Sequence, residues 1–109
     1  MMRRNAGIRF RLNKEIPPFL QQYGAQGSAA LDLAYLLIEK SRSESCKVLR
    51  LSQSDILECL DWMTDTDLER AIIILEQNGF IRIMSDMEGA NSEHSAYIAL
   101  MDSVYDRKE

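Results

Sequence analysis

Apolar side chains recur at helical spacing between residues 28 and 40. Counted from the first of them, they lie three, four, seven and eight positions along, at Ala30, Leu33, Ala34, Leu37 and Ile38. Such spacing places them on one face of a helix. Ser28 can accept a hydrogen bond from the first unpaired backbone amides and so act as the N-cap. We therefore predict a first core helix that begins after Ser28 and ends near Lys40.

A second, shorter helix is predicted after Ser52. The Ser52 hydroxyl can accept a hydrogen bond from an early backbone amide, and Asp55, three residues later, suits the positive N-terminal end of a helix. The helix is predicted to be about ten residues long. Its buried stripe consists of Ile56, Leu57 and Leu60.

A third helix is predicted from Thr64 or Asp65 to the Asn78-Gly79 pair. Either residue can act as its N-cap, and glycine readily takes the left-handed conformation just past a helix. Its predicted stripe is Leu68, Ala71, Ile72 and Leu75. Three consecutive isoleucines leave a strand over residues 71–75 as the alternative, but the caps at both ends favour a helix.

Three short runs are typical of strands. KVLRL, residues 47–51, fits an edge strand. FIRIM at 80–84 and AYIALM at 96–101 predict a hairpin, joined by the long polar loop SDMEGANSEHS. IRFRL at residues 8–12 alternates apolar side chains with arginines, so it is a candidate strand added to the hairpin or to another protomer.

The elements follow the order helix, strand, helix, helix, strand, strand. The stretch LSQSDILECLDWMTDTDLERAIIILEQNGFIRI resembles the helix-turn-helix-to-wing segment of winged-helix regulators, including its ending over residues 75–81. The resemblance implies an α+β, mainly helical winged-helix fold of three helices and a small antiparallel sheet, over residues 28–101. Residues 1–27 would form a basic arm with a Pro/Gly lead-in, and residues 102–109 a C-terminal tail.

The first and third helices carry more apolar residues than one face needs. The residues outside the predicted stripes are Leu31, Tyr35, Leu36, Ile73 and Ile74. Two interpretations remain open. Either the segment with Phe19, Leu20 and Tyr23 folds back over these apolar residues, or a second copy of the protein covers them in a homodimer. Similar small winged-helix proteins often dimerise through the first helix or terminal segments, so the resemblance implies a homodimer.

Charge is divided sharply along the chain, although the net charge is only -4. Residues 1–50 hold nine basic and four acidic residues, and residues 51–109 hold four basic and thirteen acidic ones. Such asymmetry indicates that different ends or faces meet different partners. The acidic half is read either as a solvated surface or as a protein-binding face.

In a DNA-binding winged helix, the third helix enters the major groove. Its outward positions here are predicted to be Asp65, Thr66, Glu69, Arg70, Ile73 and Gln77, of which only Arg70 is cationic. An acidic helix repels phosphates, which supply much of DNA affinity. The predicted nucleic-acid-binding residues therefore lie mostly elsewhere, and they are Arg3, Arg4, Arg9, Arg11, Lys14, Lys40, Arg42, Lys47, Arg50 and Arg70.

Two function classes follow. The first is a homodimeric protein associated with double-stranded DNA, either a transcriptional regulator or a replication accessory factor, that uses the basic arm and residues 40–50. The alternative is a protein-interaction adaptor without DNA binding, which docks a partner through Asp65, Glu69, Ile73 and Gln77. The alternative for the arm is an ordinary N-terminus of moderate charge with no binding function.

No enzyme site is expected, because the chain has no nucleotide-binding or metalloprotease motif. His94 is the one histidine, and with Cys46 and Cys59 it lacks the paired spacing of a zinc site. No metal or cofactor is therefore expected, and both thiols are expected to be reduced. Trp62 is expected to pack in the turn after the second helix. The chain lacks an apolar run long enough for a membrane span and a signal-peptide pattern, so we expect a cytoplasmic protein, nucleoid-associated if it binds DNA.

Overall fold

Helices and strands follow one another in the predicted order. The computed structural model describes residues 11–85 and 95–105. The elements are α1 (Ile16–Leu20), α2 (Ala25–Glu44), β1 (Val48–Ser52), α3 (Gln53–Cys59), α4 (Asp65–Gln77), β2 (Ile81–Ser85) and β3 (Ser95–Leu100). Short 3-10 helices lie at Gln21–Tyr23 and Asp102–Val104. The predicted class, α+β and mainly helical with a small antiparallel sheet, is confirmed.

Several predictions concern residues outside the described ranges. They are the roles of Arg3, Arg4, Arg9 and His94, most of the candidate strand at residues 8–12, and the loop between the two hairpin strands.

The first core helix, α2, is longer than predicted at both ends. It begins at Ala25, because Gly24 has a φ of 64° and turns the chain from the preceding 3-10 helix into α2. The prediction that Ser28 is the N-cap is therefore wrong. The helix runs on to Glu44 and ends at Ser45, which is left-handed with a φ of 51°. The polar residues SRSE, predicted as loop, form the last turn because Ser41 is buried there.

The caps of the two shorter helices are confirmed. The Ser52 hydroxyl accepts a hydrogen bond from the amide of Asp55, and the Thr64 hydroxyl accepts one from the amide of Asp67, both at 3.1 Å. In each case the acidic side chain accepts a bond from the cap's own amide, which completes a capping box. Thr64, not Asp65, is the N-cap of α4. Helix α3 has seven residues rather than about ten.

Helix α4 confirms the helical interpretation of AIIIL and corrects its buried stripe. Leu68, Ala71 and Leu75 are buried as predicted, but Ile74 is also buried, with 4% of its surface exposed. Ile72 is only half-buried, and Ile73 is 48% exposed. The prediction that Ile74 lies outside the stripe is wrong. Leu68, Ala71 and Ile74 are spaced three residues apart, so they lie on one face of the helix, and Leu75 lies beside Ile74 on that face.

The three strands form one antiparallel sheet in the order β1, β3, β2. The edge position predicted for β1 and the predicted hairpin pairing of β2 with β3 are both confirmed. One face of the sheet is buried in the core, and it carries Leu49, Leu51, Ile81, Ile98 and Leu100.

Segments at both ends of the described chain complete the core. Ile16 and Leu20 of α1 are buried, and the Phe19 ring meets the Phe80 ring edge-on at 6.0 Å. The lead-in thus folds back against the end of α4, but of the surplus apolar residues it was predicted to cover, Tyr35 and Ile73 stay exposed. At the other end Val104 and Tyr105 are buried. None of the described helices combines the length and apolar character needed to cross a membrane.

Candidate nucleic-acid interface

A groove lies between the segment that precedes α1 and the C-terminal half of α2. It encloses about 520 Å³. Its lining residues are Arg11, Leu12, Lys14, Pro17, Tyr35, Ile38, Glu39 and Arg42. We call it the basic groove, because it contains three cationic side chains and one carboxylate.

The α2 wall follows from helical spacing. Tyr35, Glu39 and Arg42 are four and seven residues apart, so they lie on one face of the helix. All three are exposed. Ile38, between them in sequence, is buried and anchors this part of α2 in the core.

The other wall is held by hydrogen bonds to the end of the described chain. The Asn13 amide donates to the Val104 carbonyl at 2.8 Å, and the Asn13 side chain donates to the Ser103 carbonyl at 3.2 Å. Leu12 forms an isolated antiparallel bridge with Tyr105. These contacts place the exposed side chains of Arg11 and Lys14 opposite α2.

Tyr105 ties both walls together beneath the groove. Its hydroxyl lies 2.9 Å from Oγ of Ser41, the residue that precedes Arg42. Because the Ser41 hydroxyl donates its one proton to the Cys46 carbonyl at 2.8 Å, the Tyr105 hydroxyl is the donor to Ser41. Burial raises the pKa of Tyr105, although the bond to Ser41 opposes this shift.

Tyr105→Phe is expected to reduce the alkaline sensitivity of the fold. A raised pKa in the folded state gives stability that is present below the unfolded value of about 10 and is lost as pH rises through the folded value. Urea unfolding of the wild type should therefore weaken more steeply above about pH 10 than that of Tyr105→Phe. The exposed Tyr35→Phe is the matched control, and an equal slope for all three proteins would contradict the assignment.

The other predicted cations among the described residues lie outside the basic groove. Lys47 pairs with Asp102 at 3.1 Å, and its ammonium lies 5.2 Å from the centre of the Tyr105 ring. Lys40 is close enough to Asp55 to contribute to lowering the pKa of Asp55, after the larger effect of hydrogen bonds from Ser52. Arg50 lies on the sheet and Arg70 on α4, both exposed. Of the predicted set, the structure brings together Arg11, Lys14 and Arg42.

The outward face of α4 is as acidic as predicted. The predicted outward residues Asp65, Thr66, Glu69, Arg70, Ile73 and Gln77 are all exposed. Beside Glu69 an apolar cleft of about 200 Å³ separates α4 from the sheet, lined also by Ile72 and Ile83. This surface is suited to a basic or apolar partner rather than to phosphates.

Neither cysteine belongs to a metal site in the described structure. Cys46 and Cys59 are both free and exposed. Within residues 11–85 and 95–105, no group of three metal-ligating side chains is assembled. Trp62 is 51% exposed, so it packs less completely than predicted.

The sequence did not identify Tyr35 as a groove residue. It also did not show that Arg82 and Tyr97 lie on the same exposed face of the sheet. Tyr35 was interpreted only as surplus apolar surface, although its spacing of seven residues from Arg42 places both on one face of a helix. The outward positions of β2 and β3 could have been found from the strict alternation of buried and exposed residues along each strand.

Comparison with protein-family models, with curated proteins and with solved structures gives no match. The function is therefore argued from this chain's own residues.

Proposed function

We propose that this protein is a small winged-helix protein that associates with double-stranded DNA through the basic groove. The observation that carries the proposal is the convergence of Arg11, Lys14 and Arg42 from two separate chain segments on one open surface. A transcriptional regulator and a replication accessory factor both fit such a protein.

The winged-helix assignment is supported by element order and strand order. A helix, an edge strand, two helices and a hairpin follow one another from α2 to β3. The first strand pairs with the last, which places β3 in the centre of the sheet. This is the arrangement expected when a short strand and a hairpin close the open side of a three-helix core.

The charge distribution favours the groove over α4 as the DNA-facing surface. Phosphate contacts by Lys and Arg provide the sequence-independent part of DNA affinity. The basic groove supplies three cations against Glu39, whereas the outward face of α4 supplies only Arg70 against Asp65 and Glu69.

Comparison of Arg42→Ala with Arg70→Ala tests this docking mode. Both arginines are exposed helix residues, so the two variants remove the same charge. We expect Arg42→Ala to weaken binding to a mixed-sequence duplex by about 5-fold or more at low salt, and Arg70→Ala by less than about 2-fold. Fluorescence anisotropy with a labelled duplex measures both.

The reverse ranking would place the DNA on α4 and refute the groove as the interface. Equal small effects would refute both surfaces. Urea unfolding of each variant serves as the control, since surface substitutions of this kind change stability by no more than about 0.5 kcal/mol.

The apolar cleft supports a second candidate function, a protein-interaction adaptor. Its rim residue Glu69 and the exposed Ile73 belong to the predicted partner-binding set with Asp65 and Gln77. A duplex-binding experiment separates the two functions, because an adaptor of this kind binds no DNA even at low salt. The homodimer that the winged-helix resemblance implies stays a prediction for either function.

A further inference from the structure

The face of the sheet turned away from the core presents two short rows of side chains. In one row Arg50, Tyr97 and Met84 are register partners across the three strands. In the next row, Val48, Ala99 and Arg82 are partners. We call these six residues the outer sheet face. Tyr97 on the central strand is 38% exposed, and all the others except Ala99 are exposed.

Tyr97 and Arg50 are in contact on the outer sheet face. The Arg50 guanidinium lies 5.9 Å from the centre of the Tyr97 ring, within the range of a cation–π contact. Met84 lies on the other side of Tyr97 in the same row. A planar ligand can stack on the exposed part of the Tyr97 ring or on the guanidinium plane, and the thioether of Met84 adds apolar contact.

The outer sheet face is positively charged. Its two arginines come from the two edge strands, and none of its six residues is acidic. Four of its six residues, Arg82 among them, come from residues 51–109, where acidic residues outnumber basic ones. A ligand that matches it carries negative charge and planar groups together.

We propose that the outer sheet face binds single-stranded nucleic acid. One base stacks on the exposed part of the Tyr97 ring, and the flanking phosphates are held by Arg50 and Arg82. Aromatic stacking combined with cationic side chains along the backbone is the general means by which proteins bind unpaired strands. Duplex DNA does not fit, because its bases are stacked on one another and do not offer their faces to a flat surface.

This site goes beyond the proposed function, since it differs from the basic groove in residues and in ligand. Lys47 lies between the two surfaces, one residue before Val48, and it contacts the Tyr105 ring that supports the groove. Because Lys47 is paired with Asp102, we assign it to neither site.

The test uses the full chain and a labelled oligo-dT strand of about 15 nucleotides at low salt. Fluorescence anisotropy should show that Tyr97→Leu weakens binding about 5-fold or more, because it removes the stacking surface. Tyr97→Phe keeps the ring and should stay within about 2-fold of wild type. Trp62→Leu, which removes an exposed aromatic side chain elsewhere, is the matched control and should have no effect.

Arg82→Gln is a second probe that leaves the core unchanged, because its side chain is exposed. It should weaken oligo-dT binding and leave duplex binding unchanged. Arg42→Ala should weaken duplex binding more than oligo-dT binding. The two proposals can therefore fail separately.

Three results would overturn the proposal. One is that wild type does not bind oligo-dT at low salt. Another is that Tyr97→Leu and Arg82→Gln bind as wild type does. The third is that light scattering shows a dimer that Met84→Asp dissociates, because a second copy would then occupy this face.

Discussion

Gly27→Ala should lower the free energy of unfolding by about 3 kcal/mol, although alanine is the better helix former. Gly27 is buried in the first turns of α2, where α1 and the following 3-10 helix cross it. A Cβ atom at this position would overlap the Leu20 carbonyl oxygen, and it would lie 2.9 Å from the Leu20 carbonyl carbon and 3.1 Å from Cβ of Tyr23. Backbone atoms cannot rotate away as a side chain can, so the lead-in would have to shift.

Two controls separate this close approach from other effects of glycine replacement. Ser28→Ala changes the neighbouring exposed residue and should stay within about 0.5 kcal/mol of wild type. Gly79→Ala has open space around it but a φ of 76°, so it should cost about 1 kcal/mol. Urea unfolding followed by far-UV circular dichroism measures all three. If Gly27→Ala were stabilising, as helix propensity alone predicts, the close packing of the lead-in on α2 would be wrong.

Neutralising the basic groove should have the largest effect on DNA binding. The triple variant Arg11→Gln, Lys14→Gln, Arg42→Gln removes three phosphate-binding charges. We expect affinity for a mixed-sequence duplex to fall by roughly 10- to 100-fold at low salt, and the slope of log affinity against log salt to decrease in magnitude by about 2 to 3. Anisotropy titrations at several salt concentrations measure both quantities.

The matched control variant has the same net charge as this triple variant, but it keeps the three cations of the basic groove. It is the triple variant Lys40→Gln, Arg70→Gln, Arg82→Gln, whose three cations lie outside the basic groove. If DNA binding depended only on total charge, the two triple variants would lose affinity equally, and that outcome would contradict a groove-specific interface.

Much of the fold follows from local signals in the sequence. The N-cap candidates at Ser52 and at Thr64 or Asp65, the Gly79 stop and the apolar periodicity predict helices α3 and α4 and their order with the strands. These signals are reliable because each depends on backbone groups within a few residues. They do not require knowledge of the rest of the chain.

Features set by tertiary contacts were not predicted. Gly24 and Gly27 suggest an irregular lead-in, yet Gly27 is helical and allows a close approach that no local signal reveals. The last turn of α2 exists because buried Ser41 bonds with Tyr105, 64 residues away. Ile72, Ile73 and Ile74 are equally apolar, so only the packing of the completed core decides which of them is buried.

The candidate site was likewise predictable from the sequence only in part. The excess of basic residues before residue 50 was visible in the sequence, and so was the acidity of α4. The sequence could not show which cations converge, because this depends on Leu12 bridging to Tyr105 and on Lys47 pairing with Asp102. It also did not show that Arg50, Tyr97 and Arg82 share one face, since this requires the register of three strands.

The most direct test of the central claim is duplex binding by the wild-type chain. Anisotropy with mixed-sequence double-stranded DNA should show binding at about 50 mM salt that weakens steeply by about 200 mM, because phosphate contacts release counterions. Absence of binding at the lower salt concentration would contradict DNA association, and it would make the acidic α4 face and its apolar cleft the surface on which to seek a protein partner.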